Sequence, residues 1–200
     1  MKIENKILIV GLIFATLTGV AVFIDWESFL DLHILGECGY FFSNYVYIAF
    51  MLFGIIYTIV LSRKYEECKG VFWQALIVIL LLTALHMGIK AVFGEWTPRP
   101  SKLHGGFPSG HSQVVFALAF LMSVRNKKLT ILTFLVAALI AWSRIYSVRF
   151  VEGVEYIPAH YPYQVLFGSY FGVLLTYLMY EYLEPKRELI MERIRKQKRV

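Results

Sequence analysis

Charge is scarce in this sequence. Of its 200 residues only 17% are Asp, Glu, Lys or Arg, while 58% are hydrophobic. A soluble domain carries charge at about a quarter of its positions, so this chain has too little to clothe an ordinary water-facing surface. Cysteine is scarcer still. Cys38 and Cys68 are too few for a disulfide framework. Internal repeats and low-complexity segments are absent, which excludes solenoids and disordered tracts. The one shift in composition is the basic tail after Leu183. Nothing else in the chain suits a nucleic acid, and no nucleic-acid partner is expected.

What is present is apolar and long. Hydrophobic runs recur at 7–24, 45–62, 71–93, 111–124, 129–142 and 163–180. Eighteen residues of helix rise about 27 Å, close to the hydrocarbon thickness of a bilayer. The 111–124 and 129–142 runs are shorter and need flanking turns to cross. The pattern predicts an all-α, six-transmembrane helix bundle forming a single domain over 1–200; a soluble helical bundle does not call for runs of this length. Segment 7–24 follows Lys2 and Lys6 as a signal peptide would, but no small-x-small cleavage site precedes "DWESF", so an uncleaved first span is expected. In 25–44, Trp26, Phe29, Leu30 and Ile34 fall at helical spacing opposite Asp25, Glu27, Ser28 and Asp31. That spacing predicts a short interfacial helix between spans 1 and 2, with a loop over the bundle as the alternative.

Lysine and arginine in short loops stay on the cytoplasmic side. With the N-terminus inside, fifteen of the 20 basic residues fall on inner segments, seven of them in the tail from Lys186 to Arg199. Both termini are therefore expected in the cytoplasm, with the tail against anionic headgroups. Cys38 and Cys68 then lie on opposite sides and cannot bond.

The five remaining basic residues are Lys90, Arg99, Lys102, Arg144 and Arg149, on the face that the charge rule empties. Lys90 and Arg144 belong to outer ends of spans, His111 opens the fourth span, and His160 stands before the sixth. Ionisable groups in or beside spans are costly and face the bundle interior or a wet cavity. Lys90, Arg99 and Arg144 around two imidazoles make a site for a multiply negative group, most simply phosphate. "PSGH" at 108–111 adds a helix start. Pro108 ends the loop, Ser109 is placed to cap the helix, and Gly110 lets an oxyanion approach the open N–H groups. A structural ion network would need carboxylates, which these motifs do not contain.

These residues resemble a known family. Lys90 with Arg99 and Pro100, then "PSGH", then Ser143 and Arg144 followed by His160 are similar, in order, to three signature motifs of the type 2 phosphatidic acid phosphatase superfamily. The likeness spans 90–168, and the family's membrane branch has six spans. It implies that His160 attacks phosphorus and forms a phosphohistidine and that His111 protonates the leaving oxygen. Lys90, Arg99 and Arg144, with Ser109 and the Gly110 amide, hold the phosphate oxygens, and no metal or other cofactor takes part. The implied substrate is a phosphorylated lipid of a bacterial inner membrane, met at the outer, periplasmic face. Lipid A 1-phosphate leads, with undecaprenyl diphosphate and phosphatidylglycerol phosphate close behind. A lipid phosphotransferase and a catalytically weak lipid-binding member are the alternatives.

The chain departs from the family pattern in three places. Eight residues separate Lys90 from Arg99, where about six are usual, and fifteen separate Arg144 from His160, where about five are usual. Where the family has an acidic residue four after the histidine, this chain has Gln164. An amide can hold the imidazole tautomer but cannot stabilise its positive form. Either Gln164 suffices, or Glu152 or Glu155 in the insertion supplies the missing charge. Other residues have plainer expectations: His86 a hydrogen-bonded core histidine, His33 interfacial, Lys102 and His104 loop residues. Tyr40, Tyr45, Tyr161 and Tyr163 fit an aromatic belt, Arg149 pairs with a carboxylate, and Gly168 and Gly172 mark helix packing.

Overall fold

The computed structural model describes residues 2–25, 32–65, 68, 70–93, 96–100, 105–146 and 158–197. Among them the chain is all-helical, with no strand. The elements are α1 (Ile3–Phe23), α2 (Leu32–Phe41), a π-helical turn (Phe42–Val46), α3 (Tyr47–Lys64), α4 (Val71–Phe93), α5 (Gly110–Arg125), a 3₁₀ turn (Lys127–Leu129), α6 (Thr130–Tyr146) and α7 (Pro162–Gln197). Trp26, Glu27, Ser28, Phe29, Leu30 and Asp31, Lys102 and His104, and Arg149, Glu152 and Glu155 lie outside the described residues.

Among the described residues four helical stretches are long and apolar enough to cross a membrane: Ile3–Phe23, Ile34–Lys64, Val71–Phe93 and Lys127–Tyr146. Their outward faces carry the apolar side chains that a soluble protein would bury, such as Ile13, Leu17 and Val20 on α1 and Trp73, Leu80 and Leu81 on α4. The short helix expected over 25–44 lies partly outside the described residues, and the helix that is described there, α2, is not separate. It runs through the π turn into α3, so that Ile34–Lys64 forms one helical stretch of 31 residues, about 46 Å long.

The hub is α5, which packs against α1, α3, α4, α6 and α7. Buried residues run from Ser112 to Ser123, and Phe116 and Phe120 are fully enclosed. A helix surrounded by other helices needs no lipid-facing surface. It therefore tolerates Ser112, Gln113 and Ser123, and its apolar run is short for that reason. The α7 backbone comes close to it at Gly168 and Gly172. A Cβ at 168 would meet the Ser109 carbonyl oxygen at 2.5 Å, and one at 172 would strike that of Gln113. This is small-residue packing as expected from the pair.

At the opposite end of α5 an ion cluster ties three helices. Arg125 donates to both carboxylate oxygens of Glu184 (2.8 and 2.5 Å) and to Oε1 of Gln74 (2.6 Å), and Arg187 donates to Glu184 from Nε (3.1 Å) and Nη2 (2.7 Å). All three ionic side chains are largely buried. Removing the shared carboxylate leaves two guanidinium groups facing each other. Glu184→Leu is expected to cost about 3–5 kcal/mol, read as a lower thermal midpoint in detergent; an unchanged midpoint would contradict it.

Candidate active site

The opposite end of the bundle gathers the residues singled out above. Arg144 lies in the last turn of α6 and is 6% exposed; His160, just before α7, is 3% exposed. The fifteen residues between them do not separate the two. The Arg144 carbonyl accepts the backbone N–H groups of Ala159 (3.2 Å) and His160 (3.3 Å), so the insertion leaves and returns at one point.

The His160 ring is held through one nitrogen. Nδ1 lies 2.9 Å from the Gly106 carbonyl oxygen and 3.1 Å from Oε1 of Gln164. Both partners only accept, so Nδ1 carries the proton and Nε2 keeps the lone pair. Burial, then the charges of Arg144, Arg99 and Lys90, push the imidazole down from its ordinary value of 6.5 to about 3, against the Gln164 hydrogen bond. The ring is thus neutral at pH 7, in the field of three cations drawn from three separate segments.

Gln164 is the joint of this arrangement. It has no solvent exposure. Oε1 accepts from the His160 Nδ1–H and from the Tyr161 N–H (3.1 Å each), while Nε2 donates to the Pro98 carbonyl (3.0 Å) and to the Tyr163 hydroxyl (3.2 Å). Its own carbonyl accepts the Ser109 N–H at 2.9 Å. One residue therefore links the Arg99 segment, the "PSGH" loop and the histidine. Gly106 lies against it, and a Cβ there would overlap the Gln164 amide.

Ser109 occupies the N-cap position of α5 but makes no side-chain cap bond. The capping role expected from its position is corrected. Its hydroxyl instead accepts from Ser112 Oγ (3.0 Å) and is buried, because the hydroxyl of the next turn competes for it. His111 stands in the first turn of α5 with its ring against Tyr47, centroids 4.2 Å apart. Arg99 donates from Nη2 to the Gly105 carbonyl (3.4 Å), and its charge and that of Lys90 act on each other. Gly110 faces His86, whose ring would crowd a Cβ there.

Residues 72–188 match the model of the PAP2 superfamily. The chain belongs to the PAP2 superfamily. No curated protein and no solved structure matches it. PAP2 members are phosphatases acting on phosphate esters, and the four apolar helices are those of an integral membrane protein. The matched stretch begins in α4 and ends beyond Glu184, so it includes both the motif residues and the ion cluster at the far end of the bundle.

Two neighbours of the candidate site escaped sequence reasoning. Tyr47 lies inside an apolar run and reads as an ordinary span residue; only the π turn before it, with Ser43 bonded to Ser143 at 2.8 Å, turns it onto His111 near Arg144. Gly106 contributes a backbone carbonyl, which no residue type announces. The adjacent "GG" was the signal available, since paired glycines often mark a close backbone approach.

Proposed function

We propose that this chain is a membrane lipid phosphatase that works through a phosphohistidine. The observation that supports this most is the His160 ring: protonated on a fixed Nδ1, bare at Nε2, and neutral beside three cations. In this reading Lys90, Arg99 and Arg144 neutralise the phosphate oxygens, aided by Ser109 and the N–H groups at the start of α5. The Nε2 lone pair attacks phosphorus in line, and the bond from phosphorus to the lipid oxygen breaks as His111 supplies that oxygen with a proton. Water then attacks the phosphohistidine and gives its proton to His111, and phosphate leaves with both histidines restored.

The lysine and arginine bias supports six spans with both termini cytoplasmic, α5 and α7 completing the four apolar stretches. The site then opens at the outer, periplasmic face of a bacterial inner membrane. Half-exposed Tyr161, Tyr163 and Phe167 beside His160 suit a substrate arriving sideways from the bilayer. Lipid A 1-phosphate is the favoured substrate, with undecaprenyl diphosphate and phosphatidylglycerol phosphate next. The test is a panel of phosphorylated lipids in detergent, scored for free phosphate with the His160→Ala protein as blank. Release from at least one lipid without an acceptor lipid supports a hydrolase over a phosphotransferase. Hydrolysis of a soluble phosphate ester but of none of the lipids would exclude the lipid reading.

A further inference from the structure

His86 stands one helical turn before Lys90 on α4, where an imidazole bonded to a neighbouring side chain would pass for core packing. Its surroundings argue for more. The ring lies so close to the start of α5 that a Cβ at Gly110 would be 3.0 Å from its Nε2 and 3.1 Å from its Cε1. The glycine of "PSGH" thus makes room for an imidazole as well as for an oxyanion. Lys90 and Arg99 are near enough for their charges to act on the ring, which places it among the cations of the site.

A neutral imidazole has one N–H, and the partner of the other nitrogen decides which one. Here Nδ1 is 3.0 Å from Oε1 of Gln113, a residue 1% exposed whose Nε2 is buried without a hydrogen-bond partner. An orphaned buried N–H is costly. Turning the Gln113 amide about its last torsion exchanges the two atoms at little steric cost. Nε2 then donates to Nδ1, and the ring proton moves to Nε2, the nitrogen facing Gly110.

We infer that His86 is a further phosphate-binding residue, donating Nε2–H to a phosphate oxygen held at the α5 N-terminus, with Gln113 setting its tautomer. The inference rests on the phosphate site proposed above and adds a neutral donor to its cations. The probe is inorganic phosphate, bound to the full-length protein in nanodiscs and followed by calorimetry. His86→Phe, which keeps a ring of similar bulk but no donor, is expected to weaken binding about tenfold, the value of a hydrogen bond to a charged group. His86→Gln, whose amide N–H reaches about as far as the imidazole Nε2, is expected to stay within about threefold of the parent. Should His86→Phe fail to fold, Gln113→Met serves: it leaves His86 in place, removes what sets its proton, and is expected to weaken binding severalfold. Parent-like binding in both His86→Phe and Gln113→Met would overturn the inference, as would equal losses in His86→Phe and His86→Gln, which would mark a packing role. Failure of the parent itself to bind phosphate or release it from any ester would instead overturn the phosphatase reading on which the inference stands.

Discussion

His160→Ala is expected to abolish phosphate release from every substrate, by about 10⁴-fold or more, as removal of an attacking nucleophile does. Binding should survive, because Arg144, Arg99 and Lys90 remain. The variant should therefore hold inorganic phosphate yet form no acid-labile phosphoprotein. Residual turnover within tenfold of the parent would assign the attack to another group. The state of the parent ring can be checked separately. Its imidazole is held down to about 3 by burial first and by the three cations second, so in the free protein it should not titrate between pH 5 and 8 by NMR of ring-labelled histidine. A bound phosphate, being negative, raises that value. The sign for stability follows. A histidine lowered in the folded state leaves the unfolded chain with more protons between about 6.5 and 3, so folding weakens as pH falls through that window.

The convergence of basic groups was legible because the positive-inside rule makes every outer lysine or arginine an exception that needs a reason. Five residues were exceptions, and of these Lys90, Arg99 and Arg144 act on one imidazole, while Lys102 and Arg149 lie outside the described residues. The bundle was less legible. Hydropathy reports contact with lipid, so α5, only 16 residues long and enclosed by five helices, and α7, carrying Gln164, Gly168 and Ser169 on its inner side, fall outside the set of long, strongly apolar helices. The continuity of α2 with α3 could not be read, since the polar residues of 36–44 look like a loop until a π turn joins them. Nor could the return of the chain to the Arg144 carbonyl, because a fifteen-residue gap in sequence says nothing of the distance in space. Gln113 and His86 are in neighbouring helices 27 residues apart, and their bond belongs to packing alone.

Gln164→Glu would restore the carboxyl group usual in the superfamily, and it is expected to lower turnover by about 100-fold at neutral pH, the scale set by a mispositioned site. The geometry decides the direction. The amide both accepts, from His160 Nδ1 and the Tyr161 N–H, and donates, to the Pro98 carbonyl and the Tyr163 hydroxyl. An ionised carboxylate only accepts. It would set negative oxygen about 3 Å from the Pro98 carbonyl, lose the bond that fixes the residue before Arg99, and do so at a side chain with no exposure to solvent. The damage would reach Arg99, the proposed phosphate ligand, as well as His160, the proposed nucleophile. Acid should undo part of it, because the introduced carboxyl, once protonated, regains one donor for Pro98; turnover of the variant relative to the parent is therefore expected to rise as pH falls. The Nδ1 proton is already shared between Gly106 and Gln164, and on this ground Gln164 is expected to suffice without Glu152 or Glu155. Near-parental activity in the Glu152→Gln, Glu155→Gln double variant would agree. Should Gln164→Glu match or exceed the parent at neutral pH, the amide is a tolerated relic, and the loss of positive charge compensation, rather than the gain of a donor to Pro98, is what position 164 reflects.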